Sequence, residues 1–305
     1  MFSHISVLPH EAVDGLMLKP DGIYIDGTLG GGGHSAMIAE HLVDGRIVGI
    51  DRDENAIYAA TARISSKNFD AVRGNFHDMR EIVQGLGIGS VDGILLDLGI
   101  SSHQIDTPER GFSFRYDGPL DMRMDKRSAL SAFDIVNKYD EKTLTKIFFE
   151  YGEERHSRRI SRAICTRREH APIETTLQLA EIIESAQPKH NKVPHPAMRT
   201  FMALRIAVND ELDPLGAFIR DAVGLLKKGG RFVIITFHSL EDRIVKTTFA
   251  KLASPCECPR DIPYCACGRV PSLKVITRKP ILPSQQELTA NSRAHSAKLR
   301  IAEAV

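Results

Sequence analysis

The chain has 305 residues, 42% apolar and 26% charged, with a net charge of +1. That is ordinary for a soluble protein large enough for more than one compact unit, and any basic surface for nucleic acid must be local. No apolar run approaches the roughly 20 residues that span a bilayer, residues 1–20 lack a signal peptide's basic start and apolar core, and five cysteines, one isolated, argue for a reducing cytoplasm over a disulfide scaffold.

Val13, Leu16 and Met17 fall at helical spacing and predict a short lead-in helix before Pro20. Ile23, Tyr24 and Ile25 form a β-rich run ending on Asp26 and meeting Gly27, Gly30, Gly31, Gly32 and Gly33. Such a loop lets a ligand approach the main chain. Ser35 reads as the cap of a helix over 36–42, whose N-terminus offers unpaired N–H groups to an anion. A second apolar run over 47–50 ends on Asp51, about 20 residues past the glycines, where a carboxylate suits the two hydroxyls of a ribose.

The loop departs from the dinucleotide fingerprint, because counting from Gly30 its last position is Ser35. A P-loop is excluded, since no lysine follows the glycines. Consecutive glycines before a helix, then an acid ending strand two, fit S-adenosyl-L-methionine better.

Further along, residues 54–65 read as a crossover helix and 69–72 as a third strand, followed by Phe76, which suits either an adenine wall or the core. The fourth strand lies within residues 91–99, an apolar run ending on the acid Asp97. Ligands of an open parallel sheet bind beyond the strands' carboxyl ends, so Asp26, Asp51 and Asp97 are expected on one rim.

The βα rhythm then stops. Residues 105–212 hold no convincing buried strand but four amphipathic segments, at 143–151, 158–166, 176–186 and 200–208. The pattern predicts an α/β unit in two parts, 1–104 and 213–305, around a helical insertion at 105–212. Arg155, Arg159 and Arg162, at i, i+4 and i+7, read either as a solvated face or as a phosphate-backbone stripe. Phe112, Phe114 and Tyr116 carry little weight as base-stacking platforms.

The sheet resumes with a helix over 215–226, predicted to stop at Lys227-Lys228-Gly229-Gly230, and a fifth strand over 231–237 leading into His238. Residues 297–302 suit a closing strand. Between them, Cys256, Cys258, Cys265 and Cys267 form two C-x-C pairs that suit a structural zinc or reduced thiols.

Six motifs in order carry a resemblance: Asp26-Gly-Thr-Leu-Gly-Gly-Gly-Gly-His-Ser, Asp97-Leu-Gly-Ile-Ser-Ser-His-Gln, Tyr151-Gly-Glu-Glu-Arg, His195-Pro-Ala-Met-Arg-Thr-Phe, Arg205-Ile-Ala-Val-Asn-Asp-Glu-Leu and Thr236-Phe-His-Ser-Leu-Glu-Asp-Arg. Over almost the whole chain it resembles the bacterial 16S ribosomal RNA cytosine-N4 methyltransferases, the RsmH (formerly MraW) family. The resemblance implies a class I methyltransferase fold, a Rossmann-like and mostly parallel α/β sheet, with a helical insertion. It also implies S-adenosyl-L-methionine as donor and a decoding-region cytidine of 16S rRNA, in the small ribosomal subunit, as substrate; no membrane and no obligate protein partner is inferred. By motif matching, cofactor contacts fall on Gly32, Gly33, His34, Asp51, Phe76, Asp97 and Gln104. Met202, Ser292 and His295 depart from the family pattern, which weakens any role for the last segment in RNA contact.

By position, Asp97 is expected to accept a hydrogen of the cytosine N4, and His238 to grip base or ribose. The rivals are a non-catalytic RNA-binding assembly factor and an N6-adenine methyltransferase. The tetrapeptide of the latter, Asn/Asp-Pro-Pro-aromatic, is absent where Asp97-Leu-Gly-Ile stands.

Overall fold

The computed structural model describes residues 6–188, 195–259, 264 and 266–305. They group into two units, Met1–Gly99 with Leu212–Val305, and Ile100–Glu211.

The first unit is a seven-stranded sheet of β1 (Ile23–Asp26), β2 (Arg46–Asp51), β3 (Phe69–Arg73), β4 (Val91–Asp97), β5 (Leu226–Thr236), β6 (Leu273–Val275) and β7 (Lys298–Ala304), in the order β3-β2-β1-β4-β5-β7-β6. β1 to β5 are parallel, and β7 runs antiparallel between β5 and β6. The order reverses at β1, which pairs with β2 on one side and β4 on the other, so the switch point lies between β1 and β4.

Alternation along the central strands divides the core into two layers. Ile25, Ile94, Leu96, Phe232 and Ile234 face Phe218, Val245 and Phe249 of the helices Leu215–Val223 and Ser239–Ala253. Tyr24, Leu95, Val233 and Ile235 face Leu16 and Ile38 of the helices Pro9–Leu16 and Gly33–His41. Burial on both faces explains why β4 reads as a near-continuous apolar run.

The second unit is helical: Ala132–Lys138, Glu141–Glu150, Ser157–Arg168, Thr176–Ala186 and Met198–Asn209 pack around Leu144, Phe148, Ile160, Ile164, Ile183 and Leu204. Three of these helices open on side-chain caps at Ser131, Asp140 and Thr175. Among the described residues no helix is long and apolar enough to cross a membrane.

Several local expectations are corrected. The helix before β5 stops at Val223, and Lys227 to Gly230 lie inside β5, not between the two elements. Val91 pairs with Leu226 and Gly93 with Arg231, so the extra residues bulge out of the ladder with Gly229 at φ 79°. Ser35 is not a helix cap: the helix starts at Gly33 and is preceded by Gly32 in the left-handed region. Helices Met79–Gly85, Ala132–Lys138 and Ser239–Ala253 had no strong sequence signal. The polar run after β5 proves to be the capping box and acidic first turn of the last of these.

Candidate active site

Parallel β1, β2 and β4 end on Asp26, Asp51 and Asp97, which therefore share the carboxyl rim at the switch point. The three carboxylates are held differently. Asp26 is 1% exposed; its Oδ2 accepts the Ser35 hydroxyl at 2.7 Å and its Oδ1 the Thr28 N–H at 3.2 Å. It staples both ends of the glycine loop and, at 1% exposure, is closed to a large ligand. Burial pushes its pKa up to about 6, against the hydrogen bonds from Ser35 and Thr28. Ser35 thus serves the site from inside the helix.

Asp51 accepts the N–H groups of Gly30 and Asp53, each at 2.8 Å, one on each oxygen. Burial raises its pKa to about 6 as well, opposed by those two amides. Each oxygen keeps a second lone pair, so the carboxylate is oriented by the backbone and can still accept from a diol.

Asp97 differs again. Its backbone N–H donates to Thr28 Oγ1 at 2.5 Å, which fixes the strand end against the glycine loop. Its carboxylate Oδ1 is buried without a hydrogen-bond partner. Burial, then the charges of Asp26 and Glu241, hold its pKa well above the carboxylate range. A buried acceptor with no donor is costly, about 1–3 kcal/mol, and marks where a ligand N–H or O–H belongs.

His34 lies beside it, with Nδ1 3.8 Å from Asp97 Oδ2. Its Nε2 is 3.0 Å from the carbonyl oxygen of Val7, which can only accept, so the proton is assigned to Nε2 and Nδ1 is left as an acceptor. Burial lowers the His34 pKa to about 4, so the ring is neutral at physiological pH.

Gly32 and Gly33 are glycines for packing reasons of the protein itself. Gly32 has φ 73°, and a Cβ there would sit 2.9 Å from that of Ala60; a Cβ on Gly33 would collide with Ser6 Oγ. Gly30 differs, because a Cβ there would meet only the Thr28 carbonyl, 3.9 Å away. Phe76, 6% exposed, opens a 3-10 turn and packs edge-on against Phe218, the ring centroids 4.9 Å apart. Sequence reasoning missed Thr28 and Glu241, whose signal was only their place within the first and last quoted motifs.

His238 caps the helix Ser239–Ala253: its Nδ1 accepts the Glu241 N–H at 3.4 Å, and Glu241 Oε2 accepts the N–H of Phe237 at 2.8 Å and of His238 at 3.3 Å. Nε2 is 3.0 Å from Glu241 Oε1, close enough for an ion pair but not aligned for a hydrogen bond. Nδ1 is thereby committed to its own helix, while the buried Nε2 has no hydrogen-bond partner.

In the second unit, Gln104 forms the capping box of the short helix Ser102–Asp106, its Oε1 accepting the Ser101 N–H at 3.1 Å. The arginines do not form one stripe. Arg155 sits in the turn before the helix Ser157–Arg168, and with Arg158 and Arg159 it lines a depression of about 510 Å³. Lys142 and Lys146 of the preceding helix line it too, with a single acid, Glu150, and with Phe149, which is 62% exposed. Arg162 points elsewhere and pairs with Glu141 at 3.6 Å. Phe112 is buried and Phe114 stacks on His195 at 4.4 Å, so both serve that unit's own packing.

Cys256, Cys258 and Cys267 come together, their sulfurs within 4.8 Å of one another; Cys265 lies outside the described residues.

Comparison with known proteins gives the family of the chain. The family model described as the MraW methylase family matches residues 1–305. A protein of Carboxydothermus hydrogenoformans called ribosomal RNA small subunit methyltransferase H is 53% identical over 99% of this chain and 98% of its own length. Proteins of the same name from Brevibacillus brevis, 51% identical over 99% and 98% of the two chains, and from Clostridioides difficile, 49% identical over 100% and 99%, are similar over the same extent.

Proposed function

Because this chain belongs to the MraW methylase family, we propose that it transfers a methyl group from S-adenosyl-L-methionine to N4 of a cytidine in the decoding region of 16S rRNA. The observation that carries the choice of cofactor is electrostatic. Asp26, Asp51 and Asp97 share one rim, and all three have pKa values raised by burial. Such a cluster is relieved by a cation and aggravated by an anion. A sulfonium with an ammonium group fits it.

S-adenosyl-L-methionine supplies, when bound, an electrophilic methyl group on sulfur. The rest is alignment and proton handling by this chain. Asp51, held by the amides of Gly30 and Asp53, accepts from the two ribose hydroxyls. Asp97 offers the partnerless Oδ1 to a hydrogen on N4. The N4 lone pair is delocalised into the cytosine ring, and an acceptor for its hydrogen favours the pyramidal, nucleophilic nitrogen and takes up the charge that develops. That role needs Asp97 ionised, and a neighbouring cation lowers its pKa toward that state. Neutral His34 keeps the other side of the carboxylate free of a competing positive charge.

The cationic depression beside Phe149 supports RNA contact in the second unit: five basic side chains against one acid suit a phosphate backbone, and an exposed ring suits an unpaired base. Its substrate belongs to the small ribosomal subunit, and the reaction to the cytoplasm.

Labelled S-adenosyl-L-methionine incubated with small subunits and with free 16S rRNA tests the reading, followed by nucleoside analysis. Label in N4-methylcytidine supports it. RNA carrying 5-fluorocytidine at the target tests for transfer to C5 of cytosine instead of N4, a reaction that needs a cysteine thiolate to add to the ring. A covalent adduct lost on Cys256→Ser overturns N4 transfer, as does label recovered in methylated adenosine.

A further inference from the structure

From the loop that joins the helix Ser239–Ala253 to β6, the geometry points to a structural zinc site, with the thiolates of Cys256, Cys258 and Cys267 as ligands. Their sulfurs all lie within 4.8 Å of one another. Ligands of a tetrahedral zinc at about 2.3 Å stand about 3.8 Å apart, so the cluster is already near the required spacing. Gathered thiolates repel one another, and a bound divalent cation relieves that repulsion.

Three further features fit a thiolate site. The Ala266 N–H donates to Cys258 Sγ at 3.3 Å, the kind of amide contact that stabilises negative sulfur and orients a ligand. An ion pair between Glu257 and Arg269 ties the two C-x-C arms together from outside the sulfur cluster. Gly268 follows Cys267 at φ 64°, turning the chain back where a side chain would be strained.

The loop also needs such a clasp. Its base is closed by the Ser272 N–H donating to the carbonyl of Leu252 at 3.0 Å. Above that, the large side chains Tyr264 and Val270 are 84% and 79% exposed, and such groups hold no core. Where hydrophobic burial is missing, metal binding supplies the folding free energy of a small motif. Sulfur ligands select zinc, copper(I) or iron–sulfur centres, and an all-thiolate set with no open chemistry nearby suits redox-inert zinc. The three thiolates fill three of the four tetrahedral positions, and a water or a further protein group fills the fourth; Cys265 lies outside the described residues.

The test uses the full-length protein purified under reducing conditions without chelator, with metal content measured directly. One zinc per chain is expected. After metal removal, titration with cobalt(II) should give a thiolate-to-metal charge-transfer band and strong tetrahedral d–d bands, saturating at one equivalent and displaced by zinc. Cys258→Ser and Cys267→Ser should lose stoichiometric zinc and the cobalt spectrum, whereas Cys165→Ser, outside the cluster, keeps both. Protease should cut the loop at least tenfold faster in the metal-free protein than in the zinc-loaded one. The site is overturned if reduced protein takes up neither metal, if Cys258→Ser retains one zinc, or if the bound metal is iron.

Discussion

Replacing Asp51 by alanine separates the ligand-binding role of this carboxylate from its structural one. Two opposing effects bear on stability. The substitution strips partners from the Gly30 and Asp53 amides, each costing about 1–3 kcal/mol if left unpaired. It also removes a buried carboxylate. That group's folded pKa is raised from 3.8 to about 6, so the folded state binds the proton more tightly than the unfolded one. Stability therefore falls as pH rises from 3.8 to about 6, and the cost then levels at about 3 kcal/mol. At pH 8 a loss of about 2–6 kcal/mol is offset by about 3 kcal/mol of relief, so unfolding in urea should change by no more than about 3 kcal/mol. Binding has no such compensation. Hydroxyl bonds to a charged acceptor are worth about 1.5–3 kcal/mol, so the Kd for S-adenosyl-L-methionine should rise about 10- to 150-fold. In the native protein the ligand needs the ionised form, so affinity should fall as pH drops below about 6, by up to tenfold per unit. The variant should have lost the Asp51 part of that dependence. Calorimetry between pH 5 and 8 reads both effects; an unchanged Kd at pH 8 together with an unchanged pH profile would refute the assignment.

Other outcomes follow from the same geometry. Asp97→Asn should abolish methyl transfer while leaving donor binding within about tenfold, and native activity should fall with acid at a pH above the ordinary carboxylate range, because an Asp97 whose pKa is raised by burial must be ionised to accept. Single-turnover rates against pH check this. Ser35→Ala leaves the buried Asp26 short of a partner and should destabilise the protein by about 1.5–3 kcal/mol, read by urea unfolding. Gly32→Ala forces a Cβ into a left-handed backbone and against Ala60, and should cost about 2–4 kcal/mol in the same assay. Replacing Lys146, Arg155 and Arg159 together should weaken RNA binding and reduce the slope of log K against log salt by about 2–3, with cofactor affinity unchanged; Arg162→Ala alone should change the slope little.

What the sequence determined by itself was whatever local pattern dictates. A short apolar run bounded by turn residues suits a strand buried on both faces, as in β4, and the 3.6-residue spacing of Leu144, Ile147 and Phe148 suits a helix against a core. Motif order was equally local, and it reached the methylase family without any contact being known. What only the tertiary structure decided were the partners of residues distant in the chain. Ser35 looked like a cap because Ser before an apolar run usually is one; its hydroxyl instead bonds Asp26, nine residues earlier, once helix and strand pack. The glycines at 32 and 33 suggested room for a ligand, yet Ala60 and Ser6 fill that room. Residues 227–230 looked like a helix stop because lysine and glycine favour one, but pairing of β5 with β4 absorbed them as a bulge. Helical periodicity put Arg155 and Arg162 on one face; a turn at Arg155 broke that phase, and the neighbouring helix supplied Lys142 and Lys146 instead. The raised pKa of Asp97 needed burial and the approach of Asp26 and Glu241, charges 71 and 144 positions away, and no reading of local sequence carries that distance.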